Sequence, residues 1–263
     1  MLLCKIHEAF RNIVYLDHFQ RKSHVYLNTE THKIITSATQ TLGLFSPPFP
    51  PEMLAKKAKE KNISPSELQV FWTLLKDFGT GKGSYVHDYL ENRVNRRVLD
   101  QPLPPVYHTL DTTYKSQFST QLHTCLNQAK QFIYENPHYI PFKQELVLGN
   151  DIIAGQLDNL SYNTKTGNYI IIDYKTDKQI NFDSLYNKFF FEPLSHLAYC
   201  EYNKYSLQLS IYRYLLELYT DIKLDPNIIV WFNPKNSSYR IIEVPYLKDE
   251  IHGLLKLRAT QIQ

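Results

Sequence analysis

The most apolar stretch of the chain ends in two opposite charges. Asn168-Tyr169-Ile170-Ile171-Ile172-Asp173-Tyr174-Lys175 runs three isoleucines into Asp173 and Lys175. Neither ion enters an apolar strand readily, because desolvating it costs several kcal/mol unless it is paired or bound to an ion. Residues two apart on a strand share a face, so Asp173 and Lys175 point the same way. Just upstream stands Ala154-Gly155-Gln156-Leu157-Asp158-Asn159, joined to the apolar run by Asn163-Thr164-Lys165-Thr166-Gly167-Asn168, a segment with hairpin-turn composition. The two strands are therefore expected to be antiparallel neighbours, with Asp158 close to Asp173. Two adjacent carboxylates repel, and a hard divalent cation such as Mg²⁺, which prefers oxygen ligands, neutralises them well. An ion so held polarises a phosphodiester and acidifies water, while a neighbouring lysine orients that water or offsets charge in the transition state. An Asp and a Lys at a strand end also form ordinary exposed pairs of little energy, so the tripeptide alone does not decide.

The rest of the 263-residue chain frames this hairpin. With 43% hydrophobic, 14% aromatic and 21% charged residues, it has material for one packed core and no signature of disorder, and one domain over 1–263 is expected. Helices are expected over 51–61, from the N-cap of Ser64-Pro65-Ser66-Glu67 through Leu75, over 84–98 and over 112–134. The period then changes: strands are expected over 145–148, 152–162 and 168–174, a buried helix over 205–219, strands over 227–232 and 239–244, and a last helix from near Leu247. The Pro-rich pieces at 46–51 and 102–105 read as turns. This order predicts an α/β (α+β) fold, a central mixed sheet flanked by helices with added N-terminal helices: a helical extension over 1–78, a catalytic core over 79–245 and a C-terminal helix over 246–263.

A formal charge of +3 is only mildly basic and does not by itself identify a nucleic-acid partner. The excess is local, in Lys56, Lys57, Lys59 and Lys61 and in Arg93, Arg96 and Arg97, although such runs are commonly solvated helix faces. Cys4, Cys125 and Cys200 fit neither a disulfide framework nor a zinc ribbon. No apolar run reaches the ~18 residues that span a bilayer, and the N-terminus lacks a signal-peptide core. A soluble intracellular protein is expected, with cytoplasm, organelle or virus undistinguished and no membrane partner.

Four motifs stand in one order: Gly83-Ser84-Tyr85-Val86-His87-Asp88-Tyr89-Leu90-Glu91, Gly155-Gln156-Leu157-Asp158, Ile172-Asp173-Tyr174-Lys175 and Gln208-Leu209-Ser210-Ile211-Tyr212. The set, over roughly residues 79–245, resembles the PD-(D/E)XK nuclease superfamily, and its RecB-like branch in particular, which includes phage-type and mitochondrial genome maintenance exonucleases. Leu157 replaces the proline that names the superfamily. The resemblance implies a restriction-endonuclease-like core and a Mg²⁺- or Mn²⁺-dependent DNA exonuclease of replication, recombination or repair. It implies Asp158, Asp173 and Lys175 as catalytic residues, with His87, Asp158, Asp173 and the Tyr174 carbonyl holding metal. Gln208 and Tyr212 would position Lys175 or touch the nucleic-acid backbone, and Ser84 and Glu91 would help position the site. Three cysteines are too few for the iron-sulfur cluster that some members carry, and none is expected. The partner implied is DNA, single-stranded or with free ends, alongside an unidentified helicase or recombination protein. A binding module of the same fold without catalysis, an endonuclease and an RNA-acting enzyme are the alternatives.

Glu145 stands near enough to be a further acid, or is a plain strand-end glutamate. Phe189, Phe190, Phe191, Tyr199, Tyr202 and Tyr205 lie between the Asp-x-Lys strand and the buried helix, where aromatics either stack unpaired bases or fill the core. Gly79-Thr80-Gly81-Lys82-Gly83-Ser84 superficially resembles a phosphate loop, but its lysine is followed by glycine and the segment before it reads as helix. Those glycines are instead expected to loosen the backbone ahead of the His87 helix.

Overall fold

The computed structural model describes residues 2–16, 25–49, 51–94, 101–184 and 187–262. A five-stranded mixed sheet lies between two layers of helix. Its strands run β4 (Tyr139–Gly149), β5 (Ala154–Asn163), β6 (Asn168–Lys175), β7 (Asn227–Trp231) and β8 (Arg240–Val244), side by side in that order. The first three form the expected meander. Asn163 pairs with Asn168 across the turn, where Gly167 takes φ +77°, a conformation that glycine adopts without penalty. β7 is parallel to β6, which requires a crossover connection. Helix α7 (Glu201–Tyr219) lies in that connection, and β8 returns antiparallel.

Each central strand is apolar on both faces, so the sheet is covered on both. Ile171, Ile229 and Trp231 pack with Leu207, Ile211 and Leu215 of α7 and Leu254 of α8 (Lys248–Ile262). Ile170, Ile172, Ile228 and Val230 pack against α4 (Pro65–Val94) and α6 (Thr112–Glu135) through Val86, Leu90, Phe118 and Phe132. Burial of one such aliphatic side chain contributes about 1.5–3 kcal/mol, so the register of β6 is strongly fixed: a slip by one residue would drive Asp173 into the opposite layer.

Three features depart from expectation. Helix α4 does not begin after the glycines but runs unbroken through Gly79, Gly81 and Gly83. The reason is space. A Cβ at Gly81 would lie 2.8 Å from Val106, which follows Pro104 into α5 (Pro105–Thr109), and one at Gly83 would lie 3.3 Å from the Thr176 hydroxyl. The expected end of that helix at 98, with Arg96 and Arg97, lies outside the described residues. β4 begins well before 145; it is an edge strand, half solvated, and so lacks a clear hydrophobic alternation. Finally, the N-terminal region is not only helical. Helices α1 (Leu2–Phe10), α2 (Ala38–Leu44) and α3 (Pro51–Glu60) are joined by an antiparallel sheet of β1 (Ile13–Leu16), β2 (Val25–Asn28) and β3 (Ile34–Ile35), strands too short to leave a clear periodicity.

Candidate metal centre

At the end of β6, between α4 and α7, a cavity of about 750 Å³ is lined by Ser84, His87, Glu91, Asp158, Tyr174, Lys175, Gln208 and Tyr212. All the anticipated residues therefore meet at one place except Asp173, which lies beneath the floor at 1% exposure. On α4, Thr80, Ser84, His87 and Glu91 recur at helical spacing and turn one stripe toward the cavity.

The group of donors that cluster shares His87 and Asp158 with the expected metal set, adds Glu145, and leaves out Asp173 and the Tyr174 carbonyl. His87, Glu145 and Asp158 each bring a donor atom within 4.8 Å of the other two, so Glu145 lies among the groups that could hold a cation. The β4–β5 register, Gln144 with Asn159 and Leu146 with Leu157, sets Glu145 opposite Asp158. Like charges facing each other across strands destabilise a sheet unless something neutralises them. Glu145 moreover takes φ +47°, a conformation that costs a non-glycine residue about 1 kcal/mol or more and that clusters at functional sites. Burial, followed by the charges of Asp158 and Glu91, pushes the Glu145 carboxyl up to about 8. Its surroundings thus favour the protonated form over the carboxylate.

Asp158 Oδ2 accepts a hydrogen bond from the Tyr174 backbone N–H at 2.8 Å and lies 3.6 Å from His87 Nδ1. The other imidazole nitrogen, Nε2, is 2.9 Å from the Tyr174 carbonyl oxygen. A carbonyl only accepts, so Nε2 carries a hydrogen, and Nδ1 is the ring nitrogen that faces Asp158. The carbonyl expected to face a metal thus anchors the histidine.

Asp173 and Lys175 share the α7 side of β6 and form an ion pair at 2.5 Å. Burial raises the Asp173 carboxyl above its usual range against the pull of Lys175. Burial alone would lower the Lys175 ammonium, but Asp173 and Asp158 outweigh it and hold the ammonium charged above its ordinary value. The oxygen that the ammonium approaches is Asp173 Oδ2, so the buried carboxylate has Lys175 as its charge partner. Oxygen donors with one imidazole suit Mg²⁺ or Mn²⁺.

Helix α7 supports the site through a stripe of which Tyr205 was read only among the aromatics. Tyr205 places its ring 4.8 Å from Lys175 Nζ, and its hydroxyl donates to Asp177 Oδ2 at 2.9 Å. It thus packs against the lysine, one of the two roles expected of Gln208 and Tyr212, the other being contact with the nucleic-acid backbone. Those two instead bond each other, Gln208 Nε2 to the Tyr212 hydroxyl at 3.0 Å. The Tyr212 ring lies over Gly155, where a Cβ would come within 2.4 Å of it; this close approach explains the glycine three residues before Asp158. Tyr205, Gln208 and Tyr212 are i, i+3 and i+7, a spacing that could have revealed Tyr205 as the third member. Of the other aromatics, Phe190 is buried, Tyr199 lies under Lys204, Tyr202 packs on Phe182, and Phe189 and Phe191 are exposed.

No family model matches the chain, and no curated protein does. Among solved structures it is similar to a protein of Eubacterium rectale described as a candidate exonuclease, at 18% identity, over 70% of this chain and 66% of that one, with a TM-score of 0.39. It is also similar to a protein called SSO0001, at 14% identity, over 66% of this chain and 85% of that one, with a TM-score of 0.29. The chain thus spans just under two thirds of the first neighbour's length. Among the described residues, no helix is long and apolar enough to cross a membrane.

Proposed function

We propose that the chain is a divalent-metal-dependent nuclease of the PD-(D/E)XK type, of the RecB-like branch, acting as an exonuclease on DNA in replication, recombination or repair. One observation carries the reading: His87, Glu145 and Asp158 converge within 4.8 Å directly beside a buried Asp173–Lys175 pair. A structural core has little use for three carboxylates and a histidine crowded around one ammonium, because their repulsion and desolvation oppose folding.

His87 Nδ1, Glu145, Asp158 and Asp173 are the residues that would hold Mg²⁺ or Mn²⁺. A cation there would supply Lewis-acid polarisation of the scissile phosphate and a lower pKa for the attacking water. Tyr174 fixes the carboxylate and the imidazole together, its N–H on Asp158 and its carbonyl on His87. Lys175, held charged, presents an ammonium to the phosphate oxygen on which charge develops. Tyr205 limits the rotamers of that lysine. The helical stripe of Ser84 and Glu91 faces the path of the strand.

A fluorescent single-stranded oligodeoxynucleotide incubated with protein and Mn²⁺ should be shortened from an end, and EDTA should stop it. Asp158→Asn, Asp173→Asn and Lys175→Ala should each lower kcat by roughly 10²-fold or more, the scale of losing one electrostatic stabiliser, with the fold retained by circular dichroism. Undiminished metal-dependent cleavage by Asp173→Asn would remove the basis of the assignment.

A further inference from the structure

A second cavity of about 750 Å³ lies on the α4–α6 side of the sheet and shares Tyr174 with the first. Arg93 of α4, Phe132 and Ile133 of α6, Tyr139 and Gln144 of β4 and Tyr174 of β6 form its walls. The lining is largely apolar and rich in rings: Phe132 stacks with Tyr139 at 6.4 Å between centroids and meets Tyr174 edge-on at 6.3 Å. Two polar features interrupt it. The side-chain oxygen of Gln144 is buried there without a hydrogen-bond partner, an acceptor left open inside a hydrophobic wall. Arg93 is exposed at the edge, a cation within reach of solvent.

The two cavities are joined in construction. Tyr174 lines both, and the left-handed turn of β4 at Glu145 sends consecutive side chains apart, Gln144 into the second cavity and Glu145 to the metal-binding group. From His87 to Arg93 is six residues of α4, ~9 Å of helix rise, so a ligand at the first cavity is within a nucleotide or two of the second.

We propose that this cavity receives an unpaired nucleobase from the same strand whose phosphodiester lies at the metal centre. The ring walls pack the base, Gln144 hydrogen-bonds its edge, and Arg93 meets an adjoining phosphate. A planar apolar body with a polar rim and a neighbouring negative charge is what these walls complement, and single-strand binding sites combine the same elements. The inference rests on the nuclease reading and deepens it by assigning a base-binding subsite to this cavity. A base stacked in a duplex cannot enter a walled slot, so the substrate is single-stranded or frayed at the cutting point.

The test uses wild-type protein, Mn²⁺ and a set of single-stranded oligodeoxynucleotides that each carry one abasic residue at a different distance from the cut. One position should lower kcat/KM by about tenfold or more, the effect of losing one stacked base. Filling the cavity by Ile133→Trp and removing the acceptor by Gln144→Ala should each flatten that position dependence. The small-residue variant keeps the test decisive if the tryptophan variant does not fold. Cleavage by wild type that ignores the abasic position, or a Gln144→Ala and Ile133→Trp pair that both keep the full dependence, overturns the base pocket and leaves the nuclease reading standing. No Mn²⁺-dependent cleavage of any strand overturns the nuclease reading, and the pocket with it.

Discussion

Glu145 makes the metal-free protein sensitive to pH in a direction opposite to the usual carboxylate. Its folded value of about 8 stands above the ordinary 4.5, so between those values the folded chain keeps a proton that the unfolded chain has released. Its contribution to stability is complete at the acid end of that window and is lost as pH rises toward 8. In EDTA, the Tm of the wild type should fall with a limiting slope of about 1.4 kcal/mol per pH unit, on the order of 3 °C per unit, near pH 6 to 7.5. Glu145→Gln should lack that component. A slope unchanged in the variant would show that another group is responsible. Tyr205 gives a second test at this scale. Tyr205→Phe keeps the ring against Lys175 and should retain most activity, whereas Tyr205→Ala frees the ammonium and should lower kcat several-fold more than it changes KM, as steady-state kinetics would show. Asp158, Asp173 and Lys175 were legible because charge at the end of an apolar run is expensive. Glu145 was legible only as one of two alternatives, because a strand-end glutamate looks ordinary until its backbone angle and its cross-strand partner are known.

At the scale of elements, helix α4 shows why glycine misled the sequence reading. Glycine in a helix interior costs about 0.5–1 kcal/mol relative to alanine, and three within five residues suggested a break. Close neighbours account for glycine at Gly81, where a Cβ would meet Val106, and in part at Gly83, where it would press on the Thr176 hydroxyl, while nothing lies within 4 Å of a Cβ at Gly79. The glycines should therefore separate by sign in urea or thermal melts. Gly79→Ala should stabilise by about 0.5–1 kcal/mol, and Gly81→Ala, whose Cβ would sit 2.8 Å from Val106, should destabilise by about 1–3 kcal/mol. The strands of the meander and the buried helix were readable from period and composition. The edge strand β4 and the small N-terminal sheet were not, since half-solvated or four-residue strands carry little pattern.

For the whole molecule, the proposed metal centre would couple cation binding to folding. The carboxylates that repel in the empty centre come together only in the folded chain, so an ion that binds them stabilises the folded state alone. Mn²⁺ at a hundred times its dissociation constant should contribute about 2.7 kcal/mol, read as a rise in Tm that EDTA reverses. Absence of any rise would count against a metal centre whatever the cleavage assay showed. Topology was only partly legible: the antiparallel hairpin followed from its turn, whereas the parallel pairing of β6 with β7 depends on where the intervening helix packs, and local sequence does not encode that.

The parallel crossover has a consequence for the order of events during synthesis. Asp173 and Lys175 leave the ribosome well before α7 brings Tyr205 and Tyr212, and β6 finds its inner neighbour only when residues 227–231 follow. A nascent chain that stops short of that point has translated the hairpin that carries Asp158, Asp173 and Lys175, but β6 still lacks its parallel neighbour and the helix that covers this face of the sheet.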